Sequence, residues 1–346
     1  KAERLKAGNY LGYLYLARQQ RAEAALVFRE TLQTDSGNVP ALHGLGLIAQ
    51  QEGDHPSAIR HFQDALDSDA KSVKSRFHLG QSQFALGRYG DAAASWTLAL
   101  REREDPRIRY ELGNALLRQG RPEAAWTEFK QVLDLSPNRV LLGYASARLG
   151  DIADDRQDAA QALQYYRLAV RYYPAKFEFS FNLGVLLLKN GERDEALAVF
   201  RGILPTAPDG RVAALARTLG EIHYDAKQYG EALRYFRISL ARQEDLDTAA
   251  VVADLHYLRK EYAAALVLYE NIIRKYPDSQ QAHAALINAG NIRLLQEEWD
   301  DALDCYQRAL RKEPNNARLW YNMGILFWRQ ELFARASKDD QPLGIL

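Results

Sequence analysis

The apolar and polar positions of this chain fall into amphipathic segments that come in pairs, and the pairing repeats along its length. The stretch FEFSFNLGVLLLKNG (177–191) is amphipathic around Gly184 and closes at Gly191. Its spacing predicts a helix ended by a left-handed residue, a role for which glycine is suited. The stretch WDDALDCYQRALRKEPNN (299–316) is the second kind of segment, with Ala302, Tyr306, Ala309 and Pro314 at offsets shared by the other pairs.

A small residue leads each pair: Gly12, Gly46, Gly80, Gly113, Gly150, Gly184, Gly220, Ala253, Gly290 and Gly324, separated by 33 to 37 residues. Twelve residues further on stands an alanine every time: Ala24, Ala58, Ala92, Ala125, Ala162, Ala196, Ala232, Ala265, Ala302 and Ala336. Sixteen residues on, through nine complete pairs, stands an aromatic: Phe28, Phe62, Trp96, Phe129, Tyr166, Phe200, Phe236, Tyr269 and Tyr306. At offset 24 five pairs carry proline (Pro137, Pro174, Pro208, Pro277, Pro314), which stops a helix. Gly53, Gly87 and Gly120 share the offset of Gly191, and Pro56 and Pro122 suit the first turn of the second helix. Each pair therefore predicts helix-turn-helix. Glycine costs about 1 kcal/mol inside a helix relative to alanine, so close helix approach must compensate. The expected arrangement sets each glycine against the alanine twelve residues later, with the aromatic filling the gap to the next pair.

The combined small, small, aromatic and proline positions resemble the tetratricopeptide repeat family, whose period is about 34 residues. The resemblance covers residues 5–346, with repeats at 5–38, 39–72, 73–105, 106–139, 143–176, 177–210, 213–245, 246–279 and 283–316 and a partial repeat at 317–346. It implies an all-α fold, an α-solenoid of stacked helix-turn-helix hairpins forming a right-handed superhelix. Departures are Ala253 in place of glycine, and extra residues near 140–142, 211–212 and 280–282.

The resemblance also implies a partner-binding groove lined by the first helix of each pair, at −6, −3, +1, +4 and +5 from the small residue, offsets that share one helical face. The first two repeats place Asn9, Tyr13, Leu16, His43, Leu47, Gln50 and Gln51 there, a neutral surface. The next two place Lys74, Phe77, Gln81, Phe84, Arg107, Tyr110, Asn114 and Arg118, basic with aromatics. From the fifth repeat the sign changes: Asp151, Asp154, Asp155, Glu178, Glu221, Asp225, Asp247 and Asp254 interleave with Tyr144, Phe181, Tyr224 and Tyr257, opposed by Lys189 and Arg217. Such a face suits an extended or helical peptide bearing Lys or Arg. Charge on an exposed face also serves solubility alone, so both readings stand. Members of the family that clamp a terminal carboxylate need Lys at −3; Tyr110 and Ile287 stand there beside Asn114 and Asn291, and no clamp is expected.

Lys plus Arg and Asp plus Glu each number 45 in 346 residues, so no net field attracts nucleic acid or an anionic membrane. One cysteine and no CxxC exclude an internal disulfide and a zinc staple. The absence of an 18-residue apolar run, and of an apolar core in KAERLKAGNY, gives no sign of membrane insertion or a signal peptide. The chain begins at Lys1, not Met, and is read as a processed form or excised piece. The compartment stays open between cytoplasm and bacterial periplasm.

No HExxH, phosphate-binding loop, nucleophile elbow or dinucleotide fingerprint surrounds the seven histidines. His223 with Glu221 and Asp225 does not form a metal set, since residues two apart on a helix diverge. Cys305 has Asp304 beside it and reads as an inert buried thiol. No catalysis, cofactor or metal is expected.

The last repeat is unfinished. Leu319, Trp320, Ile325, Leu326, Phe327, Trp328 and Phe333 are too apolar for a terminal cap, and Asp340 stands where an aromatic belongs. Further C-terminal residues or homo-oligomer contacts are expected there. The sequence therefore predicts a non-enzymatic scaffold for protein partners with basic segments. The alternative is a structural or assembly subunit of a bacterial envelope, polysaccharide-export or secretion machine that associates end to end.

Overall fold

The computed structural model describes residues 2–339, with side chains described through Glu331. Ala336, Phe333 and Asp340 of the unfinished repeat lie outside the residues so described. The described chain contains nineteen α-helices, one short 3₁₀ turn and no strand. It divides into two compact units, Lys1–Gly191 and Glu192–Leu346.

The N-terminal unit holds α1 (Ala2–Ala17), α2 (Arg21–Thr34), α3 (Val39–Gln51), α4 (His55–Ser68), α5 (Val73–Ala85), α6 (Tyr89–Glu102), α7 (Pro106–Arg118), α8 (Pro122–Leu135), α9 (Arg139–Asp155), α10 (Ala159–Tyr172) and α11 (Phe177–Lys189). The C-terminal unit holds α12 (Arg193–Ile203), the 3₁₀ turn Leu204–Thr206, α13 (Asp209–Asp225), α14 (Tyr229–Arg242), α15 (Leu246–Leu258), α16 (Tyr262–Lys275), α17 (Gln280–Leu295), α18 (Trp299–Lys312) and α19 (Ala317–Asp339). Each unit is an α-solenoid stack. Helices pack on their neighbours in sequence, and first helices of successive repeats also touch, as α1 with α3, α3 with α5 and α15 with α17.

The hairpins close by one device. At offset +7 the backbone turns left-handed, at Gly53, Gly87, Gly120 and Gly191 and equally at Gln19, Gln157, Lys227, Lys260 and Glu297. In the second repeat Gly53 N–H donates to the Gln50 carbonyl (3.2 Å) and Asp54 N–H to that of Ala49 (2.9 Å). In the seventh, Lys227 donates to Tyr224 and Gln228 to His223 (both 2.9 Å). This is the Schellman closure, which satisfies the last carbonyls of the first helix. At the other end, Asn38, Ser72, Asp105, Asn138, Asp245 and Ser279 cap the first helices through their side chains.

The glycine seam differs from the expected glycine-alanine contact. A Cβ on Gly46 would lie 2.5 Å from the Phe62 ring, on Gly80 2.5 Å from Trp96, on Gly113 2.6 Å from Phe129 and on Gly290 2.6 Å from Tyr306. The aromatic sixteen residues on, not the alanine at twelve, thus occupies the space over the glycine. The alanines from Ala24 to Ala302 are nonetheless fully buried.

The extra residues of the three long intervals lengthen the first helix. α9 and α13 have 17 residues and α17 has 16, against 13 in α3, α5, α7, α11 and α15. Three or four residues make about one turn, so the buried face stays in register. By contrast α12 has 11 residues where α14 and α16 have 14. Pro205, in the 3₁₀ turn that follows, cannot donate the hydrogen bond that would prolong it.

Candidate functional site

The predicted lining residues sit on the first helices, and the described packing sorts them into four groups. In the N-terminal unit a cavity of about 320 Å³ brings Lys74 and Phe77 of α5 together with Arg107 of α7. Arg103 and Asp105, from the connection between α6 and α7, complete it. Sequence offsets missed these two because they lie outside the first-helix stripe. Asp105 caps α7 through the Arg107 N–H (2.9 Å) and pairs with the Arg107 guanidinium (2.9 Å) and with Arg103 (3.5 Å). Burial pushes its carboxyl up, but the Arg107 hydrogen bonds and both guanidinium charges outweigh this and hold it below the usual carboxylate range.

Further along, the aromatics pack on one another. Phe84 meets Tyr89 at 5.0 Å, Tyr110 meets Tyr144 at 6.3 Å, and Tyr144 meets Phe179 edge to face at 5.3 Å. Lys176 lies 5.9 Å from the Tyr144 ring, and Phe181 stacks on Phe177 at 5.7 Å. Asn114 and Arg118 lie on α7, half-buried and exposed respectively.

Several predicted acids are engaged within the fold. The Tyr166 hydroxyl donates to Asp151 (2.5 Å) and the Tyr269 hydroxyl to Asp254 (2.6 Å), which also accepts from Asn288 (3.0 Å). Tyr306 donates likewise to Asn291 (2.8 Å). In the three repeats with tyrosine at +16 whose lead helix is α9, α15 or α17, the +1 side chain therefore receives the hydroxyl. Burial, then the facing carboxylates, raise the Tyr166 and Tyr269 phenols well above their ordinary value. The co-occurrence of Asp or Asn at +1 with Tyr at +16 was the available sequence signal. Asp154 accepts from Lys189 (2.6 Å), one of the two cations predicted to oppose the acids, while Asp155 is exposed.

In the C-terminal unit a cavity of about 450 Å³ gathers Glu221, Tyr224 and Asp225 of α13 with Asp247 of α15 and Arg217. Burial pushes the Glu221 carboxyl up; Arg217 pulls it down, and Asp225 and Asp245 add to the rise. Arg217 lies 3.7 Å from Glu221 and 3.5 Å from Asp245, and Arg193 lies 3.4 Å from Asp225. Tyr224 faces Tyr229 at 5.9 Å, and Tyr257 faces Tyr262 at 6.0 Å. Asp254 and Tyr257 do not line this cavity.

His223 is a packing residue: its ring stacks on Tyr235 at 5.5 Å, with Gln228 at Nδ1 (2.6 Å) and the Arg201 guanidinium at Nε2 (2.8 Å). No group of three His, Cys, Asp or Glu that could hold a metal occurs among the described residues. Cys305 is buried, and burial pushes its thiol up. No described helix is long and apolar enough to cross a membrane.

A family model described as tetratricopeptide repeat matches residues 43–103, 77–140, 147–211 and 217–280, and one described as TPR repeat matches 290–331. The chain is 24% identical over 291 residues to the BBSome complex member BBS4 homolog of Drosophila melanogaster, covering 83% of this chain and 46% of that protein. It thus spans about half the length of this relative. It is 22% identical over 298 residues to lipopolysaccharide assembly protein B of Escherichia coli K12, covering 82% of this chain and 74% of that protein. Among solved structures, the C-terminal part of a TPR repeat-containing protein from Cytophaga hutchinsonii matches with a TM-score of 0.59 at 14% identity, covering 70% of this chain and 98% of that one.

Proposed function

The chain belongs to the tetratricopeptide repeat family, and from that premise we propose that it is a non-enzymatic scaffold binding an extended or helical segment of a protein partner on its first helices. The observation that carries this reading is the 450 Å³ cavity of the C-terminal unit, where Glu221, Asp225 and Asp247 outnumber Arg217 beside Tyr224. A lysine or arginine of the partner gains charge-assisted hydrogen bonds there and a ring face for its cation. Partial desolvation, with Asp225 and Asp245 adding to it, shifts the Glu221 carboxyl upward against the pull of Arg217, and an incoming cation opposes that shift. Asp151 and Asp254 act mainly in holding tyrosines; Phe77, Phe84, Tyr110, Asn114, Arg118, Tyr144, Asp154, Asp155, Phe181 and Tyr257 supply the remainder of the proposed contact surface. Relatives named as a complex member and as an assembly protein support a scaffold role.

The test is fluorescence anisotropy with an acetylated, amidated peptide of alternating Lys and Leu. The native chain should bind it in a salt-sensitive manner, and the variant Asp225→Lys/Asp247→Lys should bind roughly tenfold or more weakly, the loss of one or two charge-assisted contacts. Equal binding by the two proteins would remove the reading.

A further inference from the structure

The cavity of the N-terminal unit carries the opposite charge to the one just discussed. Three cations line it, Lys74, Arg103 and Arg107, against the single carboxylate of Asp105. That carboxylate is already committed: it caps α7, pairs with both arginines and has a side chain only 11% exposed. Lys74 is exposed and pairs with no carboxylate among the described residues. His78, also at the cavity, is shifted toward its neutral form by burial and adds no acid. The surplus is therefore positive, and it surrounds an apolar floor of Phe77 and Ile108.

The floor is fixed. The Trp96 indole N–H donates to the Phe77 carbonyl (3.0 Å), the Phe77 ring meets His78 edge to face at 5.2 Å, and Ile108 is buried. A preformed apolar surface bordered by unneutralised cations matches a ligand that presents a carboxylate beside an aliphatic group. An isolated phosphate would leave the floor unused. The family's terminal-carboxylate clamp needs a lysine at −3, which Phe77 replaces here.

We propose that this cavity binds an acidic side chain of a partner segment, an aspartate or glutamate held by Lys74 and Arg107 with its aliphatic neighbour against Phe77. The proposal rests on the scaffold reading in that both concern partner segments, but its cavity is separate from the acidic one and shares only Phe77 with the surface proposed above.

The experiment uses the full chain and labelled, acetylated, amidated peptides alternating Glu with Leu, Gln with Leu, and Lys with Leu. A fourth peptide repeats the Gln-Leu sequence with a free terminal carboxylate. The Glu-Leu peptide should bind more tightly than the Gln-Leu control and lose roughly tenfold with Lys74→Glu, the worth of one charge-assisted contact. Lys74 is exposed and pairs with no carboxylate among the described residues, so the variant should keep the native helical circular dichroism. Binding of the Lys-Leu peptide should be unchanged by Lys74→Glu. Glu-Leu binding no tighter than Gln-Leu, or indifferent to Lys74→Glu, overturns the proposal, as does equal binding by the free-carboxylate peptide. Loss of Lys-Leu binding alone counts against the acidic cavity and leaves this one standing.

Discussion

A single absent methyl group sets the packing of most repeats. Where Gly113 sits, an alanine Cβ would lie 2.6 Å from Phe129, a ring that is itself fully buried. Alanine would gain about 1 kcal/mol of helix propensity, yet overpacking a well-filled core costs about 1–3 kcal/mol. We expect Gly113→Ala to destabilise by roughly 1 kcal/mol on that balance, read as a lower urea midpoint. Gly90→Ala on α6, where nothing lies within 4 Å, should raise it; a rise in both would mean the ring shifts freely. The periodicity of glycine, alanine and aromatic was fully legible in the sequence, but their pairing was not. Offsets show that positions recur, whereas which two meet depends on helix crossing, and the glycine met the ring.

Among the elements, the helix ends were the part sequence reading recovered by halves. Four glycines announced the left-handed closure; Gln19, Gln157, Lys227, Lys260 and Glu297 adopt the same conformation with nothing in their chemistry to mark it. The Schellman hydrogen bonds, not the residue type, hold them there. An L side chain in this region costs about 1–2 kcal/mol, so Lys227→Gly should stabilise the protein by about 0.5–1 kcal/mol, the usual return at such a site after glycine's greater unfolded-state entropy is subtracted. Lys227→Ala should bring no such gain; a higher unfolding midpoint for alanine than for glycine would refute the account. The tyrosine contacts join residues of different helices and showed only as a co-occurrence of offsets +1 and +16, while the Asp105 cluster lies in a connection outside the repeating stripe. Asp151 and Asp254 read as groove charge because their exposure was visible in the pattern and their hydroxyl partners were not.

At the scale of the whole molecule, both terminal helices present apolar side chains where interior repeats bury theirs. Leu11 and Leu14 of α1 are 40% and 37% exposed, whereas Leu45 and Ile48, at the same offsets in α3, are 7% and 6% exposed. On α19, Tyr321 is 68% and Trp328 63% exposed. Faces of this kind bury themselves against another chain at about 25 cal/mol per Å² of apolar surface. We expect concentration-dependent self-association in sedimentation velocity, reduced by Leu11→Lys/Leu14→Lys; a sedimentation coefficient constant up to high concentration, for the native chain, would exclude it. The periodicity foresaw the stacked hairpins, but gave no sign that compact packing divides at Gly191. The short α12 and the Pro205 turn become meaningful only once the lengths of its counterparts are known.

The lengthened α9, α13 and α17 bear on how such a chain can change over time. A loop tolerates an insertion of any size, but these helices exceed their counterparts by close to a full winding, a length that keeps later side chains at the same bearing. The array thereby accepts added length in discrete steps, each placing a new ledge of residues at the mouth of a repeat while the aromatic beneath its glycine is undisturbed.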